Sequence, residues 1–376
     1  MSPATAKGDH YASIMFRACV EYYSAKVKSQ SISMIIKTMP ETEGKKMDML
    51  KESYIFETEI AMYSEVIPKF ESMLRKIGDQ TILGARCLYH SLSPKKVIIF
   101  EDIVPLGYTV LRGRPVTLEE AKLAYLKIAK WHAVSFIINK ENPNLFKKFD
   151  HDIMELVRKD MAEIIESGVD CFLDVLDSRP SLAKFRPYFE ALNPDLFDKC
   201  TASFTEYRVE PHKNSYYVLC HGDFHNKNMM FKHNAENKLE DIMLLDFQMC
   251  FVGSPVLDVL YSIFMLLNTE QRANHIDELI HYYFSNYVDT LVRLGYKGEL
   301  PKMLEFREMM LRHVHFQIFL LVTFLPMWYA FQDTKSDPDE MMKSLEYRRN
   351  LYFNKTYIDE LEDILPKFQH LGYLGN

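Results

Sequence analysis

Apolar positions along this chain follow two periods, short and strand-like at first, then mostly helical. Residues 11–22 and 31–37 are rich in β-branched and aromatic side chains, and the polar stretch between them reads as the turn of a hairpin. A helix is predicted from about Met49 to Val66, with Tyr54, Phe56, Ile60, Met62 and Tyr63 as its apolar surface and Pro68 closing it. Val97-Ile98-Ile99-Phe100 is a buried strand running into Glu101-Asp102-Ile103. From Thr117, a predicted N-cap followed by Glu119 and Glu120, the pattern is helical to about Lys140. Residues 143–210 read as helices interrupted by Pro143, Pro180, Pro187 and Pro194. Two polar loops flanked by short apolar strands follow, at 217–231 and 243–248, and Gly253-Ser254-Pro255 turns into a further helix. Residues 269–376 read as helices rich in Tyr, Met and Leu. The apolar run 316–331 is short for a bilayer and is interrupted by Gln317, Thr323 and Pro326, so it reads as a buried helix ending or kinking near Pro326, with no membrane span.

Strands first and helices later predict an α+β chain of two lobes, divided as 1–103 and 104–376. Composition agrees, since 376 residues with 48% hydrophobic content can build two substantial cores. A formal net charge of −7 argues against nucleic acid or an anionic membrane as the main partner. Six cysteines at 19, 87, 171, 200, 220 and 250 form no CxxC pair, and residues 1–9 have no apolar signal core, which together point to a reducing cytoplasmic setting.

The chemistry concentrates in the two loops. His221-x-Asp223-x4-Asn228 has the spacing of a kinase catalytic loop, in which the Asp accepts a hydroxyl proton and the Asn holds Mg²⁺; Asp246-Phe247 stands where the second metal-binding Asp would be. Phosphoryl transfer needs in-line positioning and hard oxygen ligands, which Asp223, Asn228 and Asp246 supply. Gly222, where a protein kinase has Arg, points to a kinase of small molecules. Lys37, at the end of an apolar strand, is placed to reach the α/β-phosphates of ATP, with Glu57 or Glu59 as its helix partner. Backbone groups of Phe100 to Ile103 are placed to bond an adenine edge. His132 reads as a packed core histidine, and Asp258 as a carboxylate bonded to backbone amides near the catalytic loop. Two other readings compete: a zinc or iron hydrolase built on His221, Asp223, His225 and Asp246, and a pseudokinase that binds a lipophile without turnover.

Several stretches together resemble the ecdysteroid-kinase-like family, a branch of the phosphotransferases related to choline kinase. They are Lys7-Gly8-Asp9-His10-Tyr11-Ala12-Ser13, Ile36-Lys37, Phe56-x2-Glu59-x3-Tyr63-x4-Pro68, Phe100-Glu101-Asp102-Ile103, Trp131-His132-Ala133-x-Ser135, His221-Gly222-Asp223-x-His225-x2-Asn228, Asp246-Phe247-Gln248 and Gly253-Ser254-Pro255-x2-Asp258. The resemblance implies a bilobal protein-kinase-like fold and ATP- and Mg²⁺-dependent phosphorylation of a small lipophilic, steroid-like alcohol by a monomeric enzyme. By position it makes Asp223 the catalytic base, Asn228 and Asp246 the metal ligands, and Lys37 with Glu59 the phosphate-positioning pair. Backbone groups from Gly8 to Ser13 would cover the phosphates, and Glu101, Asp102 and Ile103 would form the hinge to the nucleotide. Family members carry some tens of residues ahead of the phosphate loop, whereas this chain begins almost on it, which implies either a shortened sequence or a small lobe that has lost its first strand and is left with an open edge.

Overall fold

The computed structural model describes residues 1–4, 13–23, 30–39, 54–332 and 338–374. Its small lobe is a five-stranded antiparallel sheet in the order β1-β2-β3-β5-β4, formed by Ser2–Pro3, Ile14–Tyr22, Gln30–Thr38, Cys87–Ser91 and Val97–Glu101 (β1 to β5 along the chain). Along the edge expected to be open, β1 pairs Ser2 with Arg17 and Pro3 with Phe16. Nine residues of β2 face nine of β3, and β3 in turn pairs Lys37 with Ile98 of β5. This register places the lysine in the middle of the sheet, with its side chain inward and 3% exposed.

The helix behind the sheet corrects the sequence reading. It does not stop at Val66 but runs from Ile55–Ala61 through a π-helical turn, Met62–Val66, into Ile67–Lys76, with Pro68 inside it. Proline lacks an N–H and crowds the carbonyl four residues back. Just ahead of Pro68 the Ile67 N–H reaches Met62 O, five residues back, and this wider turn accommodates the ring. The same device recurs at Pro326, where Leu325 N–H bonds Leu320 O at the end of the π turn Leu320–Phe324. The helical run therefore does not end at Pro326. The chain bends instead by 57° at His313, between Met303–Arg312 and the helical run that begins at Val314. No single described helix is long and apolar enough to cross a membrane.

Leu118–Glu141 is the central helix of the large lobe. Its start carries a capping box in which Thr117 accepts from Glu120 N–H and the Glu120 side chain accepts from Thr117 N–H. It packs chiefly on Ile276–Arg293 and on β7, Val218–Cys220. Two small antiparallel ladders carry the loops. β7 pairs with β10 (Phe251–Gly253), and β8 (Met229–His233) lies between β6 (Tyr108–Thr109) and β9 (Leu239–Leu244). One buried cluster runs through both lobes, and a second, smaller one lies where they meet: Ala85, Ile103, Tyr108 and Met243, with Met230 and Leu245 against it.

Candidate active site

Strand registers bring the loops together. Met229 faces Leu244 in the β8–β9 hairpin, so Asn228 falls opposite Leu245, whose N–H donates to Asn228 O at 2.9 Å. Asp246 follows at once, in a left-handed conformation (φ 61) that turns its carboxylate back toward the cleft. Phe247, fully buried between Tyr63 at 5.0 Å and Trp131 at 5.2 Å, anchors that turn. In the other ladder Cys220 faces Phe251, which lays the catalytic loop along Met249. Gly222 has φ 80, and a Cβ there would lie 2.0 Å from Met249 O, so only glycine fits.

Asp223 is almost surrounded by donors. Tyr261 Oη donates to its Oδ1 at 2.7 Å, His225 Nε2 lies 3.3 Å from the same oxygen, and Asn228 Nδ2 donates to Oδ2 at 2.9 Å. His225 Nδ1 accepts the Lys227 N–H, so the ring proton sits on Nε2 and points at the carboxylate. Burial would raise the Asp223 carboxyl, but His225 and Tyr261 outweigh it and hold it well below the usual carboxylate range. The Asn228 amide also donates to Asp223 O, which leaves its Oδ1 without a hydrogen-bond partner among the described residues.

Behind the loop stands Asp258, 1% exposed, accepting His221 N–H at 2.6 Å and Gly222 N–H at 2.9 Å. His132 joins Asp258 Oδ2 through Nε2 and Tyr283 Oη through Nδ1, the packed core role expected of it. Trp131 Nε1 donates to Leu219 O and Ser135 Oγ accepts Leu219 N–H, so one face of the central helix fixes the strand leading into the loop. Burial pushes the His221 imidazole below its ordinary value.

Across the cleft, Lys37 Nζ lies 2.6 Å from Glu59 Oε2 and donates to Asp246 Oδ1 at 2.7 Å. Glu59, the glutamate chosen from the sequence, is thus the one that meets the lysine; Glu57 pairs with Lys96 at the surface. Burial works against the Lys37 ammonium, but Asp246 and Glu59 more than compensate and hold its pKa well above the ordinary lysine value. Glu59 is raised by the same burial, with Lys37 pulling it back only in part.

At the hinge, the Asp102 carboxylate is taken up by Arg17, Ser33 and the Val104 N–H, and its own N–H goes to Ser33 O. The Glu101 side chain accepts the Arg86 N–H. Ile103 O accepts from Leu106 and Tyr108, and among the described residues its N–H has no backbone acceptor. Ser13 is half-buried just before β2, and Gly8 lies outside the described residues. Tyr261 and the Arg17–Ser33 pair were not singled out from the sequence. The one available signal for Tyr261 is its place one helical turn after Asp258.

The hydrolase ligand set does not assemble. Among the described residues, the His/Cys/Asp/Glu group close enough to share an ion is His132, Cys220 and Asp258, and Asp258 is already occupied by two backbone amides.

A fold with a lysine-bearing sheet, a paired helix glutamate and two acidic loops across one cleft is that of the kinase-like phosphotransferases of small molecules. The assignment narrows further: the ecdysteroid kinase-like family profile matches residues 7–296, and the chain belongs to that family. No curated protein matches it. Solved structures similar to it include spectinomycin phosphotransferase, in complex with ADP and spectinomycin (13% identity, TM-score 0.42, covering 96% of this chain and 90% of that one). A microcompartment-associated aminopropanol kinase is similar at 12% identity and TM-score 0.45, covering 95% and 94%. The choline kinase LicA from Streptococcus pneumoniae is similar at 11% identity and TM-score 0.37, covering 88% and 86%.

Proposed function

We propose that the protein transfers the γ-phosphoryl group of ATP, with Mg²⁺, to the hydroxyl of a lipophilic alcohol such as an ecdysteroid or a xenobiotic. The observation that carries this reading is the contact of Lys37 with both Glu59 and Asp246, which joins sheet, helix and metal-site loop beside Asp223. Asp223 is the base that receives the acceptor's proton as the new O–P bond forms and ADP departs. Its lowered pKa suits a loose transition state, in which the acceptor is aligned first and gives up its proton late.

Asn228 Oδ1 and the second oxygen of Asp246 are hard donors left free by the protein's own bonds, the chemistry Mg²⁺ requires. Bound there, Mg²⁺ would neutralise charge on the triphosphate. Lys37 turns to the α/β-phosphates, with Glu59 holding its ammonium from behind. The Ile103 N–H and Glu101 carbonyl meet the adenine edge, whose faces fit between Ala85, Met230, Met243 and Leu245. Asp102 keeps the hinge shaped, and backbone groups from Gly8 to Ser13 cover the phosphates. We place the boundary between lobes at Ile103, and read the enzyme as a cytoplasmic monomer. A lipophilic acceptor is favoured by Phe324, whose ring packs 5.8 Å from that of Tyr261 next to the base.

The test is thermal unfolding with Mg²⁺-ATP, ATP plus chelator, Zn²⁺ alone or buffer, followed by transfer of labelled phosphate to a panel of steroid and other lipophilic alcohols. Stabilisation by Mg²⁺-ATP that vanishes in Asp246→Ala, with labelling of an alcohol, is expected. Binding without turnover would make the protein a pseudokinase, and a shift with Zn²⁺ alone would reopen the hydrolase reading.

A further inference from the structure

The helix Val256–Met265 touches the catalytic loop twice from one face. Asp258 holds the loop's main chain through two amides, and three residues on Tyr261 reaches the reacting carboxylate itself, at 2.7 Å from Asp223 Oδ1. Tyr261 is 4% exposed, and burial beside Asp223 keeps its phenol protonated, so it remains a donor. Its ring lies against Phe324, inside the π turn Leu320–Phe324, and 6.3 Å from the His225 ring. The hydroxyl is therefore held by its own helix and by packing from Phe324, both outside the loop.

A carboxylate turns easily about its last torsion. Here Asn228 fixes Oδ2, while Oδ1 faces Tyr261 at a short distance and His225 at a longer one. Without the tyrosine hydroxyl, His225 at 3.3 Å is the side-chain donor left near Oδ1 among the described residues.

We propose that Tyr261 is a positioning residue for phosphoryl transfer, fixing the plane of the Asp223 carboxylate so that one lone pair faces the acceptor hydroxyl. This rests on the reading of Asp223 as the base. The proton passes from the acceptor O–H to Asp223 while the O–Pγ bond forms and the Pγ–O bond to ADP breaks; Tyr261 keeps its own proton throughout. Misalignment of the base costs rate, whereas the nucleotide, bound to the other half of the cleft, keeps its affinity.

The experiment is a double-mutant cycle on the full chain, reading turnover of Mg²⁺-ATP with water as the acceptor. Tyr261→Phe should lower kcat about tenfold with KM for ATP unchanged within about twofold. In the Asp223→Asn background the same change should cost nothing further, because there is no base left to orient. Tyr287→Phe is the control: that tyrosine is also fully buried, but its hydroxyl has no partner among the described residues, and its kcat should match the wild type. Unchanged kcat in Tyr261→Phe, losses that multiply in the double variant, or a loss of ATP affinity equal to the loss of rate would each overturn the proposal. An active wild type with any of these results leaves the kinase reading standing. A wild type that binds Mg²⁺-ATP but turns over neither water nor any alcohol removes the base role and this proposal together.

Discussion

On the large-lobe side of the cleft, Asp223 is a half-buried carboxylate met by three separate hydrogen-bonding groups: a phenol, an amide and an imidazole. On the small-lobe side, Lys37 is a buried ammonium met by two carboxylates. The first arrangement is short-ranged and directional, so it fixes an orientation. The second is held by charge, and phosphate oxygens can take the place of a carboxylate oxygen at little cost. The two sides are thus suited to different tasks, one to aiming a base and the other to exchanging partners when a nucleotide arrives.

Four measurements would break or sharpen that contrast. The largest effect is expected from Asp223→Asn, which should reduce kcat by about a thousandfold while the Mg²⁺-ATP shift in Tm persists; equal loss of both would remove the division of labour. Lys37→Ala should lower turnover about a hundredfold and weaken nucleotide binding. It also leaves the buried Glu59 and the half-buried Asp246 without their cation, at a cost of about 3 kcal/mol in denaturant unfolding. Unchanged activity would reject the charged half of the comparison and the kinase reading with it. Asp258→Asn keeps one acceptor oxygen but turns an NH₂ toward the other loop amide, so a loss of about 2 kcal/mol and roughly tenfold in kcat is expected, with KM for ATP preserved.

The smallest effect concerns neutral burial away from the cleft. His313 is lowered to about 4 by burial, against Glu206, which pulls upward. The unfolded chain binds that proton near the ordinary histidine value of 6.5, so its contribution to stability is complete above that pH and is lost as the pH falls to about 4. A drop on the order of 2 kcal/mol across that window, absent in His313→Gln, would appear in Tm against pH.

Residues on both sides of the cleft were legible in the chain because each ends an apolar run or starts a loop: Lys37 closes a strand pattern, and Asp223, Asn228 and Asp246 follow buried strands. Asp258 could be read for the same reason, as a lone carboxylate in an apolar helix. Tyr261 could not, since a tyrosine in a helix of Leu, Val and Phe looks like core until the loop is seen against it. The Arg17–Ser33 hold on Asp102 depends on the pairing of three strands, which no local pattern specifies. Pro68 misled because proline normally ends a helix, and the π turn that absorbs it leaves no mark on hydrophobic spacing. Pro326 misled in the same way, since the π turn Leu320–Phe324 carries the helix past it.

The Met249 carbonyl, 2.0 Å from where a Gly222 side chain would begin, also bears on how this loop can change over evolutionary time. A single-codon replacement of that glycine, by arginine or by alanine, meets backbone rather than a yielding side chain. The segment from Asp246 to Phe251 would first have to shift, and that segment carries the proposed metal ligand. Routes from this loop toward an arginine-bearing one therefore pass through an inactive intermediate, and lineages that start with the glycine are expected to keep it while their acceptor pockets diversify around it.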